Sequence, residues 1–210
     1  MQWGVGIIGL FLTSVLLSIA LFPSCIRLLK YWQVGQYIQD DVSNHSQKSN
    51  TPTCGGVFIV IMVNLLAGLW GGLNTIEALW VDFMLIGYML IGLTDDLSKL
   101  LHKDNNLGLT PRVKLLLQMI LAGVALVGAN QVLEVSLASI AIPVGGGAFW
   151  NLEMGWLYYP FALFVIVGAT NAFNLTDGLD GLASGLTIMV CLGLLVIILN
   201  GQVVQLDNVA

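Results

Sequence analysis

Charge is scarce in six long stretches of this chain and concentrated at their ends and between them. The windows 4–26, 57–73, 76–95, 113–129, 156–173 and 182–200 are almost wholly apolar, and all 7 Lys and Arg residues fall in two of the connections or, for Lys114, at the edge of one. Arg27, Lys30 and Lys48 follow the first window, while Lys99, Lys103, Arg112 and Lys114 follow the third. A hydrocarbon core about 30 Å thick is crossed by about 20 apolar residues in a helix. Only helices or closed barrels satisfy every backbone polar group there. The pattern therefore predicts an all-α, polytopic membrane bundle of six transmembrane helices, with residues 1–210 as a single membrane domain. The second and fourth windows are the short ones.

Charged residues make up 9% of the chain, against roughly 25% in soluble domains, so a water-solvated fold of this size lacks its ionic surface. The net charge of -5 opposes the basic stripe that phosphate neutralisation requires, and no nucleic-acid partner is expected. Six spans put the two basic connections on one side. Toward the other side lie Glu77, Asp82, Glu134 and Glu153 but no Lys or Arg, so the positive-inside rule assigns the basic side to the cytoplasm and both termini to the outside. Residues 4–26 lack a basic leader and a cleavage site, and read as a first span rather than a signal peptide. Cys25, Cys54 and Cys191 form no Cys-x-x-Cys pair and read as packing residues.

Residues 130–155 are too polar and too rich in glycine to span. Val135, Leu137, Ser139 and Ala141 alternate before Pro143 and Gly145-Gly146-Gly147, which predicts a small extracytoplasmic β-hairpin. Trp150, Trp156, Tyr158 and Tyr159 would form an aromatic belt at the headgroups.

Three clusters carry the chemistry. The third window ends in Thr94-Asp95-Asp96-Leu97-Ser98-Lys99. An aspartate at the bilayer centre costs about 2.5–3.5 kcal/mol on insertion scales, so two together point to a cation or a polar substrate. Lys99, three and four residues on, reaches either carboxylate if the helix continues. The fifth window runs into Asn171-Ala172-Phe173-Asn174-Leu175-Thr176-Asp177-Gly178-Leu179-Asp180-Gly181. Polar residues three apart drift by about 60° per step around an α-helix, so this helix must tighten or break, with Gly178 and Gly181 supplying the freedom. The third cluster, His45-x-x-Lys48-x-x-Thr51-Pro52-Thr53-x-Gly55-Gly56, joins a turn to a lysine able to hold a phosphate as a point charge. His102 reads as a solvated surface residue.

These clusters, in this order, resemble the motifs of the polyprenyl-phosphate hexose-1-phosphate transferases, and within them the phospho-N-acetylmuramoyl-pentapeptide transferases. Asn106-Leu107-Gly108-Leu109-Thr110 with Arg112 and Lys114, and the segment 145–151, are similar to the same family. The first connection departs from its pattern at Ile38, Asp41-Val42 and Asn50. Family chains are longer, with ten membrane helices; a Gly-Asp motif whose aspartate binds magnesium and a His-rich loop would lie beyond Ala210.

The resemblance implies transfer of phospho-MurNAc-pentapeptide from UDP to undecaprenyl phosphate, giving lipid I and UMP in peptidoglycan synthesis. It places the chain in the bacterial inner membrane as a possible homodimer, with magnesium as cofactor and a cytoplasmic active face. Asp95 and Asp96 would organise the acceptor and the metal region, contributing metal ligands, with proton removal by Asp95 as a lesser option. Lys48, Thr51, Thr53, Lys99, Asn171, Asn174, Asp177 and Asp180 would bind substrate. An N-acetylhexosamine-1-phosphate transferase, a noncatalytic remnant and a transporter are the alternatives. The acids lie at span ends rather than midway, which counts against the transporter.

Overall fold

The computed structural model describes residues 2–32, 52–102, 108–132, 139–145, 148–177 and 181–207. Among them are six α-helices and one hairpin: α1 (Gln2–Tyr31), α2 (Gly55–Leu69), α3 (Ile76–His102), α4 (Pro111–Val132), β1 (Ser139–Gly145), β2 (Ala148–Glu153), α5 (Tyr158–Thr176) and α6 (Leu182–Asp207). A 3₁₀ turn at Gly155–Leu157 leads into α5. The molecule is a membrane helix bundle with a small two-stranded sheet.

Each helix coincides with one apolar window, and the boundaries show what the windows left out. α3 does not stop at the acidic pair but runs on to His102, because Lys99 and His102 sit in its last turn, where cations oppose the negative end of the helix dipole. Four segments are long and apolar enough to cross a bilayer: Gly6–Tyr31, Ile76–His102, Pro111–Gln131 and Gly155–Thr176. Gly55–Leu69 and Leu182–Ile198 are shorter apolar helices. The 15 residues of α2 rise about 22 Å at 1.5 Å each, less than the hydrocarbon thickness.

The chain forms two compact units, Met1–Leu163 and Phe164–Ala210. In the first, α1 packs on α2, α2 on α3, and α3 on α4. Its apolar core is thin: Val60, Met62 and Leu66 of α2 and Ala122 and Leu126 of α4 are buried, while Phe11, Leu16 and Ile19 of α1 lie about two-thirds exposed. Apolar exposure on this scale suits a lipid solvent, where association depends on close packing rather than on removing apolar surface from water. Gly128 illustrates the point: a Cβ there would run into the Trp80 indole, and one at Gly87 would lie 2.8 Å from Leu121. Small residues on one helix thus receive large ones from the next across the α3–α4 contact.

The expected hairpin is present. β1 and β2 pair antiparallel from Ser139↔Glu153 to Gly145↔Ala148, with an irregularity between Pro143 and Gly145, where proline supplies no N–H to the ladder. Val135 and Leu137, at the start of the alternating stretch, lie outside the described residues. The hairpin is followed by a polar tie, as Asn130 Nδ2 donates to Tyr159 Oη at 2.6 Å. Trp150 and Trp156 are exposed. In the second unit, the α5 helix stays regular through Asn171 and Asn174 and ends at Thr176. Gly181 then takes a left-handed φ of 83° just before α6 begins, a conformation glycine adopts without a Cβ penalty. The backbone breaks, as the three-residue spacing required.

The α3–α4 contact yields a prediction. Gly128→Val should destabilise the chain by about 1–3 kcal/mol through overpacking, and Trp80→Ala should remove most of that cost. A double-mutant cycle of unfolding in mixed detergent micelles should return a coupling of at least about 1 kcal/mol.

Candidate active site

The end of α3 carries the densest polar cluster among the described residues. Asp95 and Asp96 are successive residues on one helix, so their side chains point about 100° apart and meet different partners. Asp95 turns toward α4 and is 6% exposed. Its Oδ1 accepts the Leu109 backbone N–H at 2.9 Å. Its Oδ2 accepts Lys99 Nζ at 2.8 Å and Lys114 Nζ at 3.5 Å. Asp96 turns toward the entry to α2, where its Oδ2 accepts the Thr53 hydroxyl at 2.8 Å and the Cys54 backbone N–H at 3.1 Å. Lys99 lies between them, 4.0 Å from Asp96 Oδ1.

The local sequence explains this arrangement. Lys99 is one helical turn beyond Asp95, in the orientation that favours an i,i+4 pair. Lys114 stands in the first turns of α4, where a cation opposes the positive end of the helix dipole. That position is tolerable because Asp95 faces it. The turn between α3 and α4 comes close at Gly108, where a Cβ would sit 2.6 Å from Asp95 Oδ1 and 2.7 Å from Lys99 Cε; only hydrogen fits there. Cys54 caps α2 in a left-handed conformation, φ 65°, which is uncommon for a residue with a side chain. The Asp96 carboxylate holds its N–H in that geometry.

The Cys54 thiol is pushed up to about 11, first by burial and then by the negative charge of Asp96. It is therefore protonated at neutral pH. Beside it, a groove of about 340 Å³ runs between α2 and α3, walled by Val57, Val60, Leu85, Tyr88 and Met89, with Asp96 as the one charged residue among its described lining.

The sequence-derived site residues divide into three sets. Thr53, Asp95, Asp96 and Lys99 are brought together in the first unit. Asn171, Asn174 and Asp177 lie in the second unit: Asn171 Nδ2 donates to the Val167 carbonyl at 2.9 Å, and Asn174 and Asp177 are exposed. Lys48, Thr51 and Asp180 fall outside the described residues. Among the described residues, no three His, Cys, Asp or Glu side chains gather as a metal site would need. His102 has its ring Nδ1 2.8 Å from the Ser98 carbonyl on its own helix. Sequence reasoning did not single out Lys114, Gly108 and the Leu109 amide as partners of Asp95. The available signal was a lysine placed against the dipole of an apolar helix, which asks for a nearby anion.

The sequence matches a known family. A family model described as glycosyl transferase family 4 matches residues 78–209. The chain belongs to that family. It is 42% identical over 180 residues to a phospho-N-acetylmuramoyl-pentapeptide-transferase of Oleidesulfovibrio alaskensis, covering 85% of this chain and 49% of that protein. Proteins of the same name from Thermodesulfovibrio yellowstonii, at 40% identity over 83% of this chain and 48% of the relative, and from a Synechococcus strain, at 39% over 87% and 51%, are similarly related. The chain thus spans about half the length of these glycosyl transferase family 4 relatives.

Two measurements test the geometry. Thr53→Val removes one donor from a partly exposed carboxylate and should cost about 1.5 kcal/mol, at the low end for hydrogen bonds to charged groups; Thr53→Ser should keep the wild-type unfolding midpoint. In a Cys25→Ser, Cys191→Ser background with chelator present, N-ethylmaleimide should modify Cys54 on the order of a hundredfold more slowly at pH 7.5 than a free thiol of pKa about 8.5. The rate should climb tenfold per pH unit until about pH 11, since the raised value keeps the thiolate scarce below it.

Proposed function

We propose that this chain supplies the first half of a phospho-MurNAc-pentapeptide transferase, which moves the phospho-sugar from its UDP carrier to undecaprenyl phosphate and releases lipid I and UMP. The observation that carries the reading is physical. The Thr-Pro-Thr-x-Gly-Gly entry to α2, the Asp-Asp-x-x-Lys end of α3 and the Gly-Leu-Thr-x-Arg-x-Lys entry to α4 are joined by hydrogen bonds and ion pairs into one cluster. Relatives that share 39–42% identity carry the transferase name.

The reaction sets a diphosphate against a phosphate, so its main demands are neutralisation and in-line positioning. The acceptor phosphate monoester has a second pKa near 6 and is largely dianionic at neutral pH, so attack needs no strong base. The ammonium groups of Lys99 and Lys114 would attract phosphoryl oxygens to the end of α3, while the adjoining α2–α3 groove offers apolar walls to a lipid substrate. Thr53 and the Cys54 amide hold Asp96 in place beside that groove. Magnesium takes one or two carboxylates together with phosphate oxygens and water, and Asp96 Oδ1, which accepts no hydrogen bond from the described residues, is suited to such a place. Bound there, the ion would supply charge neutralisation at the transferring phosphoryl group. Asn171, Asn174, Asp177 and Asp180 would line the uridine and diphosphate side, with Lys48 and Thr51 contributing from the first connection. The positive-inside pattern sets the cluster on the cytoplasmic face of an inner membrane, with both termini outside, and a homodimer is the expected assembly.

The test is release of UMP. The chain, alone or completed by the C-terminal half of the Oleidesulfovibrio relative, is mixed with magnesium, UDP-MurNAc-pentapeptide and undecaprenyl phosphate. UMP is expected, and Asp96→Ala should reduce it by at least about a hundredfold, equivalent to about 2.7 kcal/mol of barrier. Absence of UMP from both forms would overturn the reading; UMP only with a UDP-N-acetylhexosamine donor would replace the muramoyl substrate with that sugar.

A further inference from the structure

We propose that the β1–β2 hairpin is an interfacial paddle: the sheet face carrying Ile140, Ile142, Trp150 and Leu152 lies among the lipid headgroups and upper acyl chains of the leaflet at which α5 begins. The partner is a lipid surface, and the proposal is independent of the transferase reading.

The register decides which residues share that face. Directly paired residues of an antiparallel ladder project to the same side, and the side alternates along each strand. Ile140 pairs with Leu152 and Ile142 with Trp150, so these four stand together. Ser139 pairs with Glu153 and Ala141 with Asn151, which puts them on the reverse, and the ladder continues toward the turn with Pro143 opposite Phe149. The base of the hairpin is thus apolar on one face and mostly polar on the other. Ser139, Asn151 and Glu153 are exposed, as suits groups that meet water. Trp150 is 59% and Leu152 38% exposed on the apolar face. A two-stranded hairpin is marginal in water unless its apolar face packs on a further layer.

The chain that follows indicates what that layer is. β2 ends at Glu153, and Gly155–Thr176 is long and apolar enough to cross a bilayer. At about 3.3 Å per extended residue, Leu152 lies within about 10 Å of the start of that span. The headgroup region extends about 5–8 Å beyond the hydrocarbon on each side, so the sheet is tethered at its level. The connecting turn is apolar and turned outward as well, with Trp156 76% and Leu157 49% exposed. Tryptophan suits this zone because its ring is apolar and its N–H needs a wet partner. The outer edges of a two-stranded sheet keep unpaired backbone groups that cannot enter hydrocarbon, which limits the paddle to the interface. Residues 139–159 include no Lys or Arg. Contact is therefore driven by apolar burial and not by attraction to anionic lipid.

Spin labels read the two faces directly. The whole chain, carrying Cys25→Ser, Cys54→Ser and Cys191→Ser, is placed in phosphatidylcholine vesicles with one nitroxide on Ile140→Cys, Leu152→Cys, Ser139→Cys or Asn151→Cys. The ratio of collisions with oxygen, which concentrates in lipid, to collisions with a water-soluble nickel chelate should be at least about threefold higher at the Ile140 and Leu152 sites than at the Ser139 and Asn151 sites. The alternation should persist unchanged when phosphatidylglycerol is added and at high salt. Equal ratios on the two faces overturn the proposal, as does an alternation that appears only with anionic lipid. Shielding of the Ile140 and Leu152 sites from both reagents also overturns it, because a protein layer, from a second copy or from further chain, would then cover the face. Trp150 gives a reading that needs no cysteine variant: the emission lost in Trp150→Phe should be quenched by lipid brominated on its acyl chains and spared by aqueous iodide. Quenching by iodide instead overturns the proposal even where a labelled variant fails to fold.

Discussion

The ion cluster around Asp95 is the constraint on which the described part of the first unit turns. A carboxylate that is almost fully buried near the end of an apolar helix is costly unless its lone pairs are met, and here they are met from three places in sequence: the next helical turn, the following loop and the following helix. Loss of any one partner leaves charge without compensation. That requirement holds the Leu109 amide just ahead of α4 and brings Lys114 into a position its own helix disfavours. Asp96 does the equivalent on the other side by holding the start of α2. Two consecutive residues therefore hold the entries to two helices.

The rest of the first unit is organised differently. Apolar side chains along α1, α2 and α4 remain broadly exposed, so little of the packing specificity comes from a dry core. Contacts between helices use size complementarity instead, as where Trp80 meets Gly128. Polar ties, such as Asn130 to Tyr159, add direction that apolar packing lacks. A bundle of this kind tolerates many apolar exchanges on its outer faces and few where a glycine admits a neighbouring ring.

Hydropathy made the helices and the hairpin legible, because burial in lipid forces long uninterrupted apolar runs and leaves turns polar. It also exposed the acidic pair, since such residues stand out against an apolar background. The break after Thr176 followed from helical geometry and the glycines near it. Less legible were the helix ends and the partners of each acid. Hydropathy ends the third window at Asp95, whereas the helix continues to His102 because its last turn is stabilised by cations rather than by apolar contacts. The roles of Lys114, Gly108 and the Leu109 amide depend on which residues of α3 and α4 come face to face, and that is a property of tertiary packing. A charge opposed to a helix dipole was the one trace of it in the sequence.

The left-handed backbone at Cys54 carries a consequence for modularity. Entry into α2 is governed by an acceptor on another helix, not by the residues that make the turn. A helix entry transplanted between family members would therefore keep the Cys54 geometry only alongside an aspartate at the equivalent of Asp96. Loop and helix end form a single inherited unit despite the 42 positions that separate Cys54 from Asp96.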